Sequence, residues 1–151
     1  MKKLNLIMIA VLSVFLYSCE EDDTATFNRE SFLTGKWNVT QVGELNSQNK
    51  VNYNDYISCD ATNGESLVFT KELTYTESMY NVTEDGCVNK TVTGDFKFEN
   101  SNILMNYIRS DQKVAEHGKR VIALTYEEME IVYTDSITDK IVFKKLIKAA
   151  E

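Results

Sequence analysis

The groups in this sequence with the reactivity to make or break bonds are few. They are the thiols of Cys19, Cys59 and Cys87 and the single imidazole, His117. A thiol can be acylated, oxidised to a disulfide or bound to a metal. An imidazole can move protons near neutral pH. Spacing narrows these options. Two cysteines and one distant histidine do not make a zinc ligand set. His117 stands beside Gly118 in the polar run Ser110 to Gly118, which reads as a loop. A lone loop histidine is ordinarily a surface residue, not a base. No Gly-rich phosphate loop, H-E-x-x-H or G-x-S-x-G is present. The turn Asp135 to Asp139 lacks calcium-loop spacing. Asp85, Asp95 and Glu127 fall on turns or outward positions. Glu77 shares strand parity with Leu73, Tyr75 and Met79, so it points inward unless a bulge shifts the register. No catalytic residue, metal or cofactor is expected, and the chain reads as a non-enzyme.

Cys19 has the most informative surroundings. Lys2 and Lys3 precede an apolar run, Leu4 to Tyr17, broken only by Asn5 and Ser13. Charge followed by an apolar run is the order of a secretory signal. As a helix this run is about 21 Å long, short of the roughly 30 Å hydrocarbon core. Leu16-Tyr17-Ser18-Cys19 resembles the lipobox of bacterial lipoproteins. Leu16 and Ser18 match that pattern, and Tyr17 stands where a small residue is commoner. The resemblance implies cleavage after residue 18 and lipid on Cys19. One acyl chain anchors marginally, whereas several hold a protein essentially permanently.

Glu20, Glu21, Asp22 and Asp23 follow directly. Such a run cannot bury itself and reads as an extended spacer. It is similar to the acidic export signal of Bacteroidetes surface lipoproteins. The expected organisation is a signal peptide over 1–18, an acidic tether over 19–31, one domain over 32–147 and a tail over 148–151. The expected location is the outer membrane, with display on the cell surface. Two of the 16 basic residues leave with the signal and all 23 acidic ones stay. The mature chain therefore has 14 basic against 23 acidic residues, a net charge of −9. That argues against a nucleic-acid partner, so none is expected, and against binding to anionic lipid. Membrane attachment rests on the lipid anchor alone, and no protein partner is named by the sequence.

Export places the remaining thiols in an oxidising compartment, where a Cys59–Cys87 disulfide is the default. It would close 29 residues, from Cys59 to Cys87.

The elements that hold these groups are strands. Alternating segments recur over 36–45, 65–71, 73–80, 88–99, 103–107, 120–125, 129–134 and 140–147, with polar breaks and no proline. A short helical turn, about Asn28 to Leu33, precedes them. On the first segment Trp37, Val39 and Gln41 share a face. A long polar connection, 46–63, carries Tyr53, Tyr56 and Cys59. Glu84-Asp85-Gly86 is a hairpin signal, since glycine accepts positive φ without steric cost. Short links force antiparallel neighbours. The fold class is all-β, either a sandwich or an eight-stranded up-and-down barrel.

Gly35-Lys36-Trp37 resembles the G-x-W motif on the first strand of lipocalins. That likeness implies an eight-stranded antiparallel, lipocalin-like barrel of the type found in Bacteroidetes lipoproteins. In that family the tryptophan plugs the closed end against a basic side chain near the last strand, a part assigned here to Lys144 or Lys145. A plain core tryptophan in a β-sandwich is the competing reading.

A barrel interior suits a ligand. Leu67, Phe69, Tyr75, Met79, Phe96, Phe98, Met105 and Tyr107 are expected to line it. Two functions compete. One is a tethered carrier of a small apolar ligand, which failure to bind any ligand together with a cavity under about 300 Å³ would count against. The other is a filled barrel acting as a structural or protein-interaction lipoprotein through Tyr53 and Tyr56.

Cys19→Ser should leave the protein uncleaved and without lipid, read by intact mass. A mature mass unchanged by that substitution would contradict the lipobox reading.

Overall fold

The computed structural model describes residues 31–60, 62–84, 86–108, 112–136 and 138–150. The signal segment, Cys19 and the acidic run lie outside these residues, as does Asp85. Nine strands are described: β1 Gly35–Leu45, β2 Val51–Asp55, β3 Ser66–Phe69, β4 Thr74–Thr83, β5 Gly86–Glu99, β6 Asn102–Ile108, β7 Val114–Leu124, β8 Glu128–Thr134 and β9 Ile141–Lys148. Each pairs with the next around the sheet in the order β2-β1-β3-β4-β5-β6-β7-β8-β9, and β1 also pairs with β9. All pairings are antiparallel. β1 and β3 to β9 thus close an eight-stranded barrel, and β2 lies outside it. Helical residues 31–33 cover one end. No helix among the described residues is long and apolar enough to cross a membrane.

Closure rests on β1. Trp37, Val39 and Val42 stand opposite Lys148, Leu146 and Lys144 of β9. A bulge at Thr40 lets Thr40 and Gln41 share one partner, Lys145. The same bulge switches partners on the other edge of β1. Below it, residues 35–38 pair with β3. At it, the Val39 amide donates to the Glu65 carbonyl and the Tyr56 amide donates to the Thr40 carbonyl. Above it, residues 41–45 pair with β2. Gln41, expected on the face of Trp37 and Val39, is therefore turned outward, where its amide donates to Asp55 at 3.1 Å.

Because β3 has only four residues, the upper part of β4 has no strand on that side. The connection 56–65 runs there instead. It is stapled to the β4–β5 hairpin by the Cys59–Cys87 disulfide, with Cα atoms 5.5 Å apart. The bridge thereby ties the connection at Cys59, which strand pairing leaves free, to a residue held in the β4–β5 ladder.

Alternation explains the core. Leu67, Phe69, Tyr75, Phe96, Phe98, Ile103, Met105, Val121, Met129, Ile131 and Leu146 are all buried with Trp37. Most of their outward neighbours are polar, as in a half-solvated antiparallel sheet, with Val68, Leu104, Ile122, Val132 and Ile147 as apolar exceptions.

Several boundaries differ from the sequence reading. The connection 46–63 contains β2. β7 begins at Val114, so Val114 to Gly118 is strand, not loop. Leu73 is not an inward strand residue. It sits in the β3–β4 turn with φ of 59° and is exposed.

Removing the disulfide frees a 29-residue loop in the unfolded chain. Cys59→Ser with Cys87→Ser should lower stability by about 3.5 kcal/mol in urea unfolding. A loss under about 1 kcal/mol would mean that the staple constrains nothing.

Candidate functional site

The end of the barrel where β1 begins is plugged. Trp37 is fully buried and its indole N–H donates to the Leu33 carbonyl at 2.7 Å, which ties the helical residues down as a lid. Leu33 is also fully buried. The Lys148 ammonium stands 5.3 Å from the centre of the indole ring and donates to the Phe32 carbonyl at 3.2 Å. A cation over an aromatic face at this range is attractive. Gly35 makes room for it. Its φ is +123°, and a Cβ there would come within 2.7 Å of Lys148 Cε. The basic partner of the tryptophan is thus Lys148. Lys144 and Lys145, expected in that part, lie elsewhere. Lys144 points into the lumen, and Lys145 points outward over the Tyr53 ring at 4.1 Å.

Above the plug the interior changes character. Glu77 points inward, without any bulge in its pairing, and meets Lys119 at 3.0 Å. Lys119 is 2% exposed. Lys144 pairs with Glu65. Tyr133 stands between the two pairs. Lys119 lies over its ring at 4.0 Å, and Lys144 interacts with its hydroxyl. His117 packs edge-on to the same ring at 5.4 Å. His117 is therefore not a loop residue. It sits on β7, two positions before Lys119, with its side chain turned inward.

Burial sets the protonation of this cluster. It pushes the Lys119 ammonium below its usual value, with Glu77 opposing the shift. It works against charge on Lys144 too, but Tyr133 and Glu65 outweigh it and hold that ammonium above its usual value. Burial raises Tyr133 and takes Tyr75 up to about 12, so both remain neutral phenols at physiological pH. His117 is held below 6.5, first by burial and then by Lys119, against weaker pulls from Glu77 and Asp135.

A cavity of about 130 Å³ opens above the cluster. Tyr75, Met79, Met105 and Tyr107 wall it, with Glu77, Lys119, His117 and Tyr133 at its base and Lys90 and Asp135 towards the mouth. Of the eight residues expected to line the interior, all face inward, yet they divide. Tyr75, Met79, Met105 and Tyr107 border the cavity. Leu67, Phe69, Phe96 and Phe98 belong to the packed core, where the Phe69 and Phe96 rings meet at 4.8 Å.

A larger groove, about 440 Å³, lies on the outer face of β1, β8 and β9 beside Asp55 of β2. Its polar groups are largely engaged with each other. Asp55 accepts from Gln41, and Tyr53 donates to Glu130. Tyr53 reaches across Gly43, where a Cβ would sit 2.8 Å from its ring. Tyr56 packs half-buried against the core. Both tyrosines expected to recruit a partner are thus used within the chain.

No family model matches the chain, and no curated protein matches it. Solved structures do. A lipocalin-like protein from Bacteroides uniformis is 14% identical, with a TM-score of 0.51, over 78% of this chain and 99% of that one. An uncharacterized protein from Bacteroides eggerthii is 15% identical, with a TM-score of 0.47, over 78% and 99%. Bovine odorant binding protein, solved with a selenium-containing odorant, is 15% identical, with a TM-score of 0.47, over 81% and 73%. The first of these likenesses carries the fold, and the barrel is lipocalin-like.

Two outcomes follow from the buried charges. Lys119→Met strands the Glu77 carboxylate and should cost about 3–5 kcal/mol, whereas adding Glu77→Gln should restore most of it. Equal losses in the single and double variants would contradict the pairing. His117 stays neutral in the folded state, so its contribution is complete above pH 6.5 and is lost as pH falls from there through its lower folded value. Stability followed against pH should decline below 6.5, and His117→Gln should flatten the first part of that decline. An unchanged slope would contradict it.

Proposed function

We propose that the chain is an exported lipoprotein, held to the outer membrane by lipid on Cys19, whose barrel binds a small ligand in its open half. The charge-then-apolar start, the Leu16-Tyr17-Ser18-Cys19 stretch and the acidic run support the anchor. The proposed division is signal 1–18, tether 19–31 and barrel 32–147. Display on the outer face is part of the same reading and rests on the acidic run. The role is binding, not catalysis.

The observation that carries the ligand reading is the 130 Å³ cavity, walled by Tyr75, Met79, Met105 and Tyr107 above the Trp37 plug. Size decides the ligand. A buried apolar cavity of about 150 Å³ holds one benzene. Drug-sized ligands need roughly 300 Å³ or more. The cavity thus suits one ring and rejects a fatty acid, which narrows the apolar carrier expected from sequence. A filled barrel without a small-molecule ligand is the second reading. It is favoured by the packing of Leu67, Phe69, Phe96 and Phe98 below the cavity.

A ligand-observed NMR screen of ring-sized fragments should return binders that are lost in Met79→Trp, which fills the cavity. A fluorescent fatty acid should not bind. Fragments that bind Met79→Trp equally well, or no binder at all, would overturn the ligand reading in favour of the filled barrel.

A further inference from the structure

The lumen is short of space, and it is also balanced in charge. Three ammonium groups face it or its floor: Lys90, Lys119 and Lys144. Three carboxylates answer them: Glu65, Glu77 and Asp135. The two deepest cations have their counter-ions in contact, Glu77 on Lys119 at 3.0 Å and Glu65 on Lys144. Each pair is neutral as a unit, wherever its proton rests. Tyr75, Tyr107, Tyr133, His117 and Ser136 complete the polar surface, and each presents an uncharged group with a donor or an acceptor.

Such a wall discriminates among ligands of one size. At the base of the cavity, away from Lys90 at the mouth, an anion would have to draw Lys119 away from Glu77 and leave a buried carboxylate without its cation. A cation would draw Glu77 away and strand Lys119 in the same way. A hydrocarbon would displace water from His117 and the phenols and return no hydrogen bonds. A neutral ring with a hydroxyl or carbonyl avoids all three costs. Its ring meets Met79, Met105 and the tyrosines, and its polar group meets the base of the cavity.

We infer, resting on the ligand reading above, that the lumen selects a neutral, single-ring ligand carrying a hydrogen-bonding group, and that the Glu77–Lys119 pair is what excludes charged and purely apolar rings.

Four compounds of one size test this: toluene, benzyl alcohol, benzoate and benzylamine. The readout is methyl NMR of ¹³C-methionine in the mature chain, residues 19–151 with Cys19→Ser. Three of the five methionines remain there. Met79 and Met105 border the cavity, and Met129 is buried in the core as an internal control. Benzyl alcohol should shift Met79 and Met105, leave Met129 still, and bind at least tenfold more tightly than the other three. Tighter binding of benzoate or benzylamine would overturn the exclusion of charge. Tighter binding of toluene would overturn the need for a polar group. No shift from any of the four would instead overturn the ligand reading itself. In Glu77→Gln with Lys119→Met, checked for an unmoved Met129 signal, the preference for benzyl alcohol over toluene should fall about tenfold. An unchanged preference would remove the ion pair from the argument.

Discussion

The barrel depends on one seam, the pairing of β1 with β9. An eight-stranded meander has two end strands, and each carries a row of unpaired amides and carbonyls until they meet. Here they meet over Trp37 to Gly43 and Phe143 to Lys148. β1 does this while serving two more partners on its other edge. The bulge at Thr40 makes that arithmetic work, because it turns the strand at the point where β3 gives way to β2. Were the same residues paired regularly, with no bulge, Gln41 would face the core and Val42 would face solvent instead of packing inward.

The seam also divides the interior. Below the bulge, β1 and β9 contribute Trp37, Val39, Leu146 and the stem of Lys148, which close the barrel under the helical lid. Level with the bulge, the connection from β2 brings Glu65 within reach of Lys144 on β9. The polar layer therefore begins where the regular pairing of β1 with β3 ends. Burying four charges is costly unless each is matched. Here each is matched, and among the described residues no buried side-chain nitrogen or oxygen lacks a partner. The layer holds the lumen open above a plug that is otherwise filled.

Much of this was legible in the residues. Clean alternation in 88–99 and 103–107 marked strands that bury Phe96, Phe98, Ile103 and Met105. The cysteine pairing followed from compartment and count. Gly35-Lys36-Trp37 pointed to the plugged end. What stayed hidden has a common cause, which is polar residues facing inward. In Ala115-Glu116-His117-Gly118-Lys119 the inward positions include a histidine and a lysine, so the segment read as a loop. Only the spacing of His117, Lys119 and Val121 hinted at one face. β2 was missed because Val51 and Tyr53 pack on the backbone of Gly43, a contact that needs a missing side chain and leaves no apolar pattern of its own. Lys148 was passed over for Lys144 and Lys145 because neither the stem of a lysine crossing a glycine nor the bulge that sets the β9 register can be read from letters.

Hydrogen exchange of the backbone amides measures the seam directly. Amides of 37–43 and 143–148 should be among the slowest in the chain, opening only with global unfolding, while the exposed end of the β4–β5 hairpin exchanges by local opening. Exchange of the seam as fast as the hairpin, with the rest of the barrel still protected, would mean that the sheet stands without being closed and would contradict this account.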